Sequence, residues 1–228
     1  MQNAQQLLLD LPHRQALGRE DFLVTSSNSA AVELVDQWPN WPSYAAIIVG
    51  PPGSGKSHLL EVWRQRTGAP LCEARKLTVE AVPVLLQEKT LALEVAGAFD
   101  ERALFHILNL AKQENCQLLL TGEIAPSLWG LKIPDLVSRL NALPLVSILP
   151  PDDELLRGVL LKQFSDRQIL VDQATLNYLL LRMPRSLHAA REVVAAIDAT
   201  AMIEKAEITR PFVARILAGL TSPDLFEN

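Results

Sequence analysis

Cysteine is scarce in this chain, which leaves no framework of disulfides to hold it. Cys72 and Cys116 are the only two among 228 residues; they lie far apart and form no CxxC pair. Buried or free thiols in a reducing compartment are the expectation. The four histidines, His13, His58, His106 and His188, lack metal-ligand spacing and read as surface or helix residues. Positive charge is not in excess: a net charge of −5 argues against a dedicated nucleic-acid-binding surface. No run approaches the ~20 apolar residues that span a bilayer. Leu7-Leu8-Leu9 is too short for a signal core, is broken by Asp10 and follows no basic cluster. Repeats and low-complexity segments are missing as well. These absences predict a cytoplasmic protein with no membrane partner. A hydrophobic content of 49% is ample for a core, and the length suits one domain plus a smaller attachment.

Residues 50–57 read Gly-Pro-Pro-Gly-Ser-Gly-Lys-Ser, a complete GxxxxGK[ST] phosphate loop. Its setting fits: Tyr44 to Val49 is an apolar run suited to a buried parallel strand, and Lys56 to Thr67 has helical periodicity ending at Gly68. Gly50, Gly53 and Gly55 allow positive φ and close backbone approach, so N–H groups of the loop, Ser54 included, can turn toward a phosphate, while Pro51 and Pro52 fill the turn without a donor of their own. Lys56 is expected to reach the terminal phosphates. The Ser57 hydroxyl suits Mg²⁺, and the helix N-terminus adds its dipole. Nucleotide binding follows.

Strands and helices alternate around this loop. Strands are predicted at 44–49, 71–74, 90–95, 117–121 and 145–149, and helices at 29–38, 56–67 and 100–115. That alternation indicates a parallel α/β sheet covered on both faces. Pro150-Pro151 ends the strands, and helices are predicted from Asp152 to Phe164, Asp172 to Met183, Ser186 to Lys205 and Thr209 to Leu220. The expected organisation is a polar leader over 1–20, an α/β base over 21–150 and an all-helical lid over 151–228.

Phosphate loop, α/β base and helical lid together resemble the AAA+ class: a three-layer base with a five-stranded parallel sheet, then a small helical lid. Within it the chain resembles the Hda family of DnaA-homologous replication regulators, over roughly residues 6–220. Gly50 to Leu60 is similar to that branch's phosphate loop, which brings His58 into the nucleotide-binding set. Asp100 to Leu110 is similar to the helix after its second strand motif. Gln117 to Gly122 looks like the sensor-one strand, with Thr121 at its polar tip. Pro134 to Leu140 is similar to the arginine-finger box and places the finger at Arg139. Pro184 to Val193 is similar to the sensor-two helix and places that arginine at Arg185. Alone, an arginine beside an apolar helix is usually a solvated charge. The resemblance implies that Arg185 reaches back to a phosphate, whereas Arg139 projects toward a neighbouring molecule's nucleotide. Asp21 to Val24 resembles the segment that covers the base, which adds Leu23 and Val24.

The pattern breaks at the second strand motif. An ATPase of this class carries two adjacent acids there, one for Mg²⁺ and one that orients the attacking water. Here the strand reads Leu91 to Gly97 with Glu94 as its one acid and Val95 beside it. A lone carboxylate in an apolar strand is costly unless paired or coordinated, so Glu94 is expected near Mg²⁺ or the phosphates. Asp100 and Glu101 read instead as the N-cap and first turn of the next helix. Intrinsic hydrolysis is therefore expected to be slow or absent, with ADP rather than ATP as the expected resident nucleotide.

Gln6-Leu7-Leu8-Leu9-Asp10-Leu11 fits QLxLxL, the pattern Hda-like proteins use to dock on the DNA polymerase III sliding clamp (its beta subunit), which singles out Gln6, Leu7, Leu9 and Leu11. The resemblance implies a clamp-bound regulator that promotes hydrolysis of DnaA-bound ATP, with DnaA and clamp as partners and a homodimer as a further candidate. The residues end just past the lid, so DnaA's appended DNA-binding domain is not expected, and DNA contacts should be weak and not sequence-specific. Two alternatives stay open. One is a self-sufficient ATPase of the initiator or loader type; the other is a scaffold whose nucleotide is purely structural.

Overall fold

Residues 22–220 are described by the computed structural model. Within them five short strands lie parallel in the order β2-β3-β4-β1-β5. They are β1 (Ala45–Val49), β2 (Leu71–Glu73), β3 (Thr90–Val95), β4 (Gln117–Gly122) and β5 (Leu145–Ser147). The central three are apolar at nearly every position because both faces are covered. Alternation divides them cleanly. Ala45, Ile47, Leu91, Leu93, Leu118 and Leu120 face one buried cluster, while Ala46, Ile48, Ala92 and Leu119 face the other. The first cluster takes side chains of α3 (Val82–Leu85), α4 (Glu101–Gln113) and α5 (Pro134–Asn141). The second takes α1 (Ser29–Asp36) and α2 (Lys56–Thr67), with Trp63 fully buried.

The expected strands and helices form, with ends that shift for local reasons. β2 stops at Glu73 because Ala74 begins a 3-10 turn. β5 stops at Ser147 rather than Leu149: the Leu149 N–H leaves the sheet and donates to the Ser27 carbonyl at 2.9 Å. α1 ends at Asp36, two residues early. Helices α3 and α5 carry no strong signal in the sequence. Each is short and has proline in its first turn.

After Pro150-Pro151 the described residues form helices only: α6 (Asp153–Asp166), α7 (Gln173–Arg182), α8 (Leu187–Glu204) and α9 (Arg210–Leu220). They share their own core of Leu156, Leu160, Phe164, Leu179, Val194 and Val213, among others. Their starts are set by side-chain caps. Asp152 accepts from the Leu155 N–H at 2.7 Å, Asp172 from that of Thr175 at 2.6 Å, and Ser186 from that of Ala189 at 3.0 Å. No helix of the described residues is long and apolar enough to cross a membrane. Gln6, Leu7, Leu9 and Leu11 lie outside the described residues.

The segment before α1 joins the two cores. Phe22 packs into the α1/α2 cluster and Leu23 against the helical one. Asn28 holds this strap in shape, donating from its amide to the Leu23 carbonyl at 2.9 Å and accepting from the Thr25 N–H at 2.9 Å.

Candidate functional site

The phosphate loop runs from the end of β1 into α2, as its sequence demands. Gly53 (φ +70°) and Gly55 (φ +104°) adopt left-handed backbone, which side chains other than glycine rarely enter. Gly50 does not, contrary to expectation. It is required by space instead, since a Cβ there would lie 2.6 Å from the Ile148 carbonyl oxygen. Pro51 and Pro52 shape the turn, and Ser54 is buried inside it with its hydroxyl unpaired among the described residues. Lys56 Nζ donates to the carbonyls of Gly50 (2.7 Å) and Pro51 (2.9 Å), which parks its ammonium over the loop. Burial pushes the Lys56 pKa down; the carboxylates of Glu123 and Glu94 oppose this.

Ser57 and Glu94 come together. The Ser57 hydroxyl donates to Glu94 Oε1 at 3.0 Å, from α2 to the end of β3. Glu94 is opposite Thr121 in the parallel register, so both side chains share the sheet face covered by α2. Thr121 is fully buried and its Oγ1 has no partner among the described residues. Val95, opposite Gly122, is buried and turns to the other face. Asp100 and Glu101 stay away from the loop. Asp100 caps α4 through the Arg102 N–H at 2.8 Å, and Glu101 Oε2 accepts from the N–H groups of Lys132 (2.9 Å) and Ile133 (3.0 Å) just before α5.

The lid touches the loop directly. Leu187, the first residue of α8, donates its N–H to the Gly53 carbonyl at 2.9 Å. A Cβ on Gly53 would meet the Ser186 Cβ at 2.7 Å. Arg185, one residue earlier, is turned aside: it pairs with Asp153 Oδ1 at 2.8 Å and also donates to the Pro151 carbonyl at 3.4 Å. The strap contributes Phe22 rather than Leu23 or Val24. Phe22 meets the His58 ring edge-on at 5.1 Å, whereas Leu23 faces Gly158 of α6 and Val24 is exposed. Alternation along an extended segment explains the swap.

Arg139 sits elsewhere. Its guanidinium lies 5.4 Å from the centre of the Phe105 ring on α4, and its Nε is buried without a partner among the described residues. It also acts electrostatically on Tyr44, whose hydroxyl pKa is pushed up by burial and pulled back by Arg139. Tyr44 precedes β1 while the loop follows it, so a five-residue strand of about 16 Å separates Arg139 from its own phosphate loop. The expected outward projection is not the arrangement of this chain alone, where the side chain is laid on α4.

Sequence reasoning missed two charged groups. Glu123 directly follows the QLLLTG strand and acts on Lys56 from the end of β4. Arg191, on α8, places Nη2 3.5 Å from His58 Nδ1. Its signal was a lone arginine four residues after Leu187 on a face otherwise built of alanine and valine.

The donor set suits a nucleotide with Mg²⁺. The loop offers left-handed glycines, an ammonium and a helix N-terminus; Ser57 and Glu94 offer hard oxygens; Thr121 offers an unpaired buried hydroxyl beside them.

A family model described as "Hda, lid domain" matches residues 153–217. An "uncharacterized protein" of Haemophilus influenzae is 30% identical over 184 residues, spanning 75% of this chain and 80% of its own length. Domain III of the replication initiator DnaA from Thermotoga maritima superposes with a TM-score of 0.74 at 17% identity, covering 91% of this chain and 98% of that one. The Thermotoga maritima RuvB Holliday junction branch migration motor gives 0.69 at 15% identity, with coverages of 89% and 72%. AMPPCP-bound DnaA from Aquifex aeolicus gives 0.67 at 20% identity, with coverages of 79% and 64%. At such identities the superpositions show a shared fold.

Proposed function

This chain belongs to the Hda-like family of DnaA-homologous AAA+ proteins, and from that premise we propose that it is a nucleotide-bound regulator of replication initiation which promotes hydrolysis of DnaA-bound ATP. The observation that carries the reading is the division of labour between two ends of the sheet. One end holds a phosphate loop whose acid pair is reduced to Glu94-Val95. The other carries Arg139, too far from that loop to serve it.

On this reading the loop amides, Lys56 and the α2 N-terminus hold the phosphates of ADP or ATP. Ser57 and Glu94 would hold Mg²⁺, which when bound neutralises phosphate charge. Arg185 reaches the phosphates by exchanging Asp153 for them. Val95 cannot accept a proton from water, so turnover at this site is slow and ADP is retained. Arg139 lifts from Phe105 and enters the site of an ATP-bound DnaA molecule, where its fork stabilises charge on the transferring phosphoryl group. Gln6, Leu7, Leu9 and Leu11 dock on the sliding clamp; deleting residues 1–11 should abolish capture on immobilised clamp, and unchanged capture removes this part.

Nucleotide extracted from the purified protein, together with titration of a fluorescent ADP analogue, tests the core of the proposal. ADP should co-purify, and Lys56→Ala should lose it. A chain that binds no nucleotide would sink the reading.

One observation favours a second reading. Glu123 brings another carboxylate to the Lys56 ammonium, so a self-sufficient ATPase could orient water from β4 instead of β3. Multiple turnover with no partner present, abolished by Glu123→Gln, would select it.

A further inference from the structure

We propose that Arg191 is a nucleotide-phosphate ligand delivered by the lid helix α8, in addition to Arg185. The inference rests on reading the loop as a nucleotide site and deepens it.

Leu187 and Arg191 are four residues apart and so share one face of α8. That face lies against the start of α2. Leu187 Cδ1 is 3.2 Å from where a Cβ on Gly55 would stand, and Arg191 lies beside His58, two residues past Lys56. Side chains in a helix lean toward its N-terminus, which here is the end bonded to Gly53. Arg191 is therefore aimed back along α8 toward the loop.

Its surroundings make no sense for a cation left alone. The residue is half-buried, and among the described residues no carboxylate pairs with it. The neighbouring acid, Glu192, pairs with His188 at 3.0 Å. Burial pushes the Arg191 pKa down with no charged group opposing it. His58 stands in the first turn of α2, where the positive end of the helix dipole disfavours another positive charge. Taking a guanidinium out of water beside a helix N-terminus is costly unless an anion completes the site. A nucleotide phosphate, gripped by a planar fork of N–H donors, is the anion this place is built around.

A packing role on His58 and Phe22 is the competing account, and the two differ in what they do to the protein without ligand. Binding of ADP to the full chain and the thermal midpoint of ligand-free protein are measured for wild type, Arg191→Met, Arg191→Lys and Lys56→Ala. Methionine keeps the apolar stem and removes the charge. For Arg191→Met the ADP dissociation constant should rise roughly 10- to 100-fold, the size of a lost charge-assisted hydrogen bond. The ligand-free midpoint should stay the same or rise. Arg191→Lys, with charge but no fork, should bind ADP with intermediate strength. Wild-type ADP affinity in Arg191→Met overturns the inference, and so does a lowered ligand-free midpoint that accounts for the loss. If the wild type itself fails to bind ADP, the nucleotide reading falls and this inference with it. A loss confined to Lys56→Ala leaves that reading standing and removes Arg191 from it.

Discussion

Arg185 is held by Asp153 at 2.8 Å, but both side chains are more than half exposed, and such pairs are worth at most about 1 kcal/mol. If Arg185 serves the nucleotide as proposed, Asp153 competes with phosphate for the same guanidinium. Replacing it should therefore tighten binding: Asp153→Asn is expected to bind ADP up to about fivefold better in a calorimetric titration. Weaker binding would show that the acid positions Arg185 instead of withholding it. Arg139 obeys the same arithmetic. Leaving a partly exposed contact with Phe105 costs about 1 kcal/mol, small beside the roughly thousandfold rate gain of a well-placed arginine finger. Residue chemistry of this kind was partly legible in the sequence. Lys56, Ser57 and Glu94 follow from the loop motif and from the cost of a buried carboxylate. Glu123 and Arg191 do not, because each reaches the loop from a distant stretch of chain whose packing no local pattern announces.

At the scale of elements, the hinge between sheet and lid is tied by the strap that precedes α1. Asp152 caps α6 through Leu155 and also accepts from the Ser26 hydroxyl at 3.4 Å, while Ser27 accepts from the Leu149 N–H. Removing the carboxylate by Asp152→Ala should cost about 1 kcal/mol from the lost cap, seen as a lower urea midpoint. The cap also carries a pH signature. The backbone bond from Leu155, with help from Thr25, Ser26 and Ser27, holds the Asp152 pKa below its ordinary value. Its contribution is thus complete above the unfolded value near 3.9 and is lost as pH falls through the lower folded value. Asp152→Ala should narrow the stability gap to wild type as acid is added below about pH 4. Elements announced by caps and periodicity, such as α4, α6 and α8, stand within two residues of where the sequence puts them. The short α3 and α5 escaped because one or two turns offer too few repeats to set a period. The early end of β5 depends on Ser27, more than a hundred residues away.

At the scale of the molecule, the proposed function assigns the two ends of the sheet to two different nucleotides. The loop end, with lid helix α8 bonded to Gly53, binds a ligand of its own. On that reading the opposite end, where Glu101 sets α5 in place, presents the helix to another molecule. The most direct test is the rate at which DnaA-bound ATP is hydrolysed in the presence of clamp loaded on DNA, with either the wild-type chain or Arg139→Ala added. The account predicts strong stimulation by the wild type and a loss of roughly a thousandfold, or to background, for Arg139→Ala, with ADP affinity unchanged. Undiminished stimulation by Arg139→Ala would contradict it.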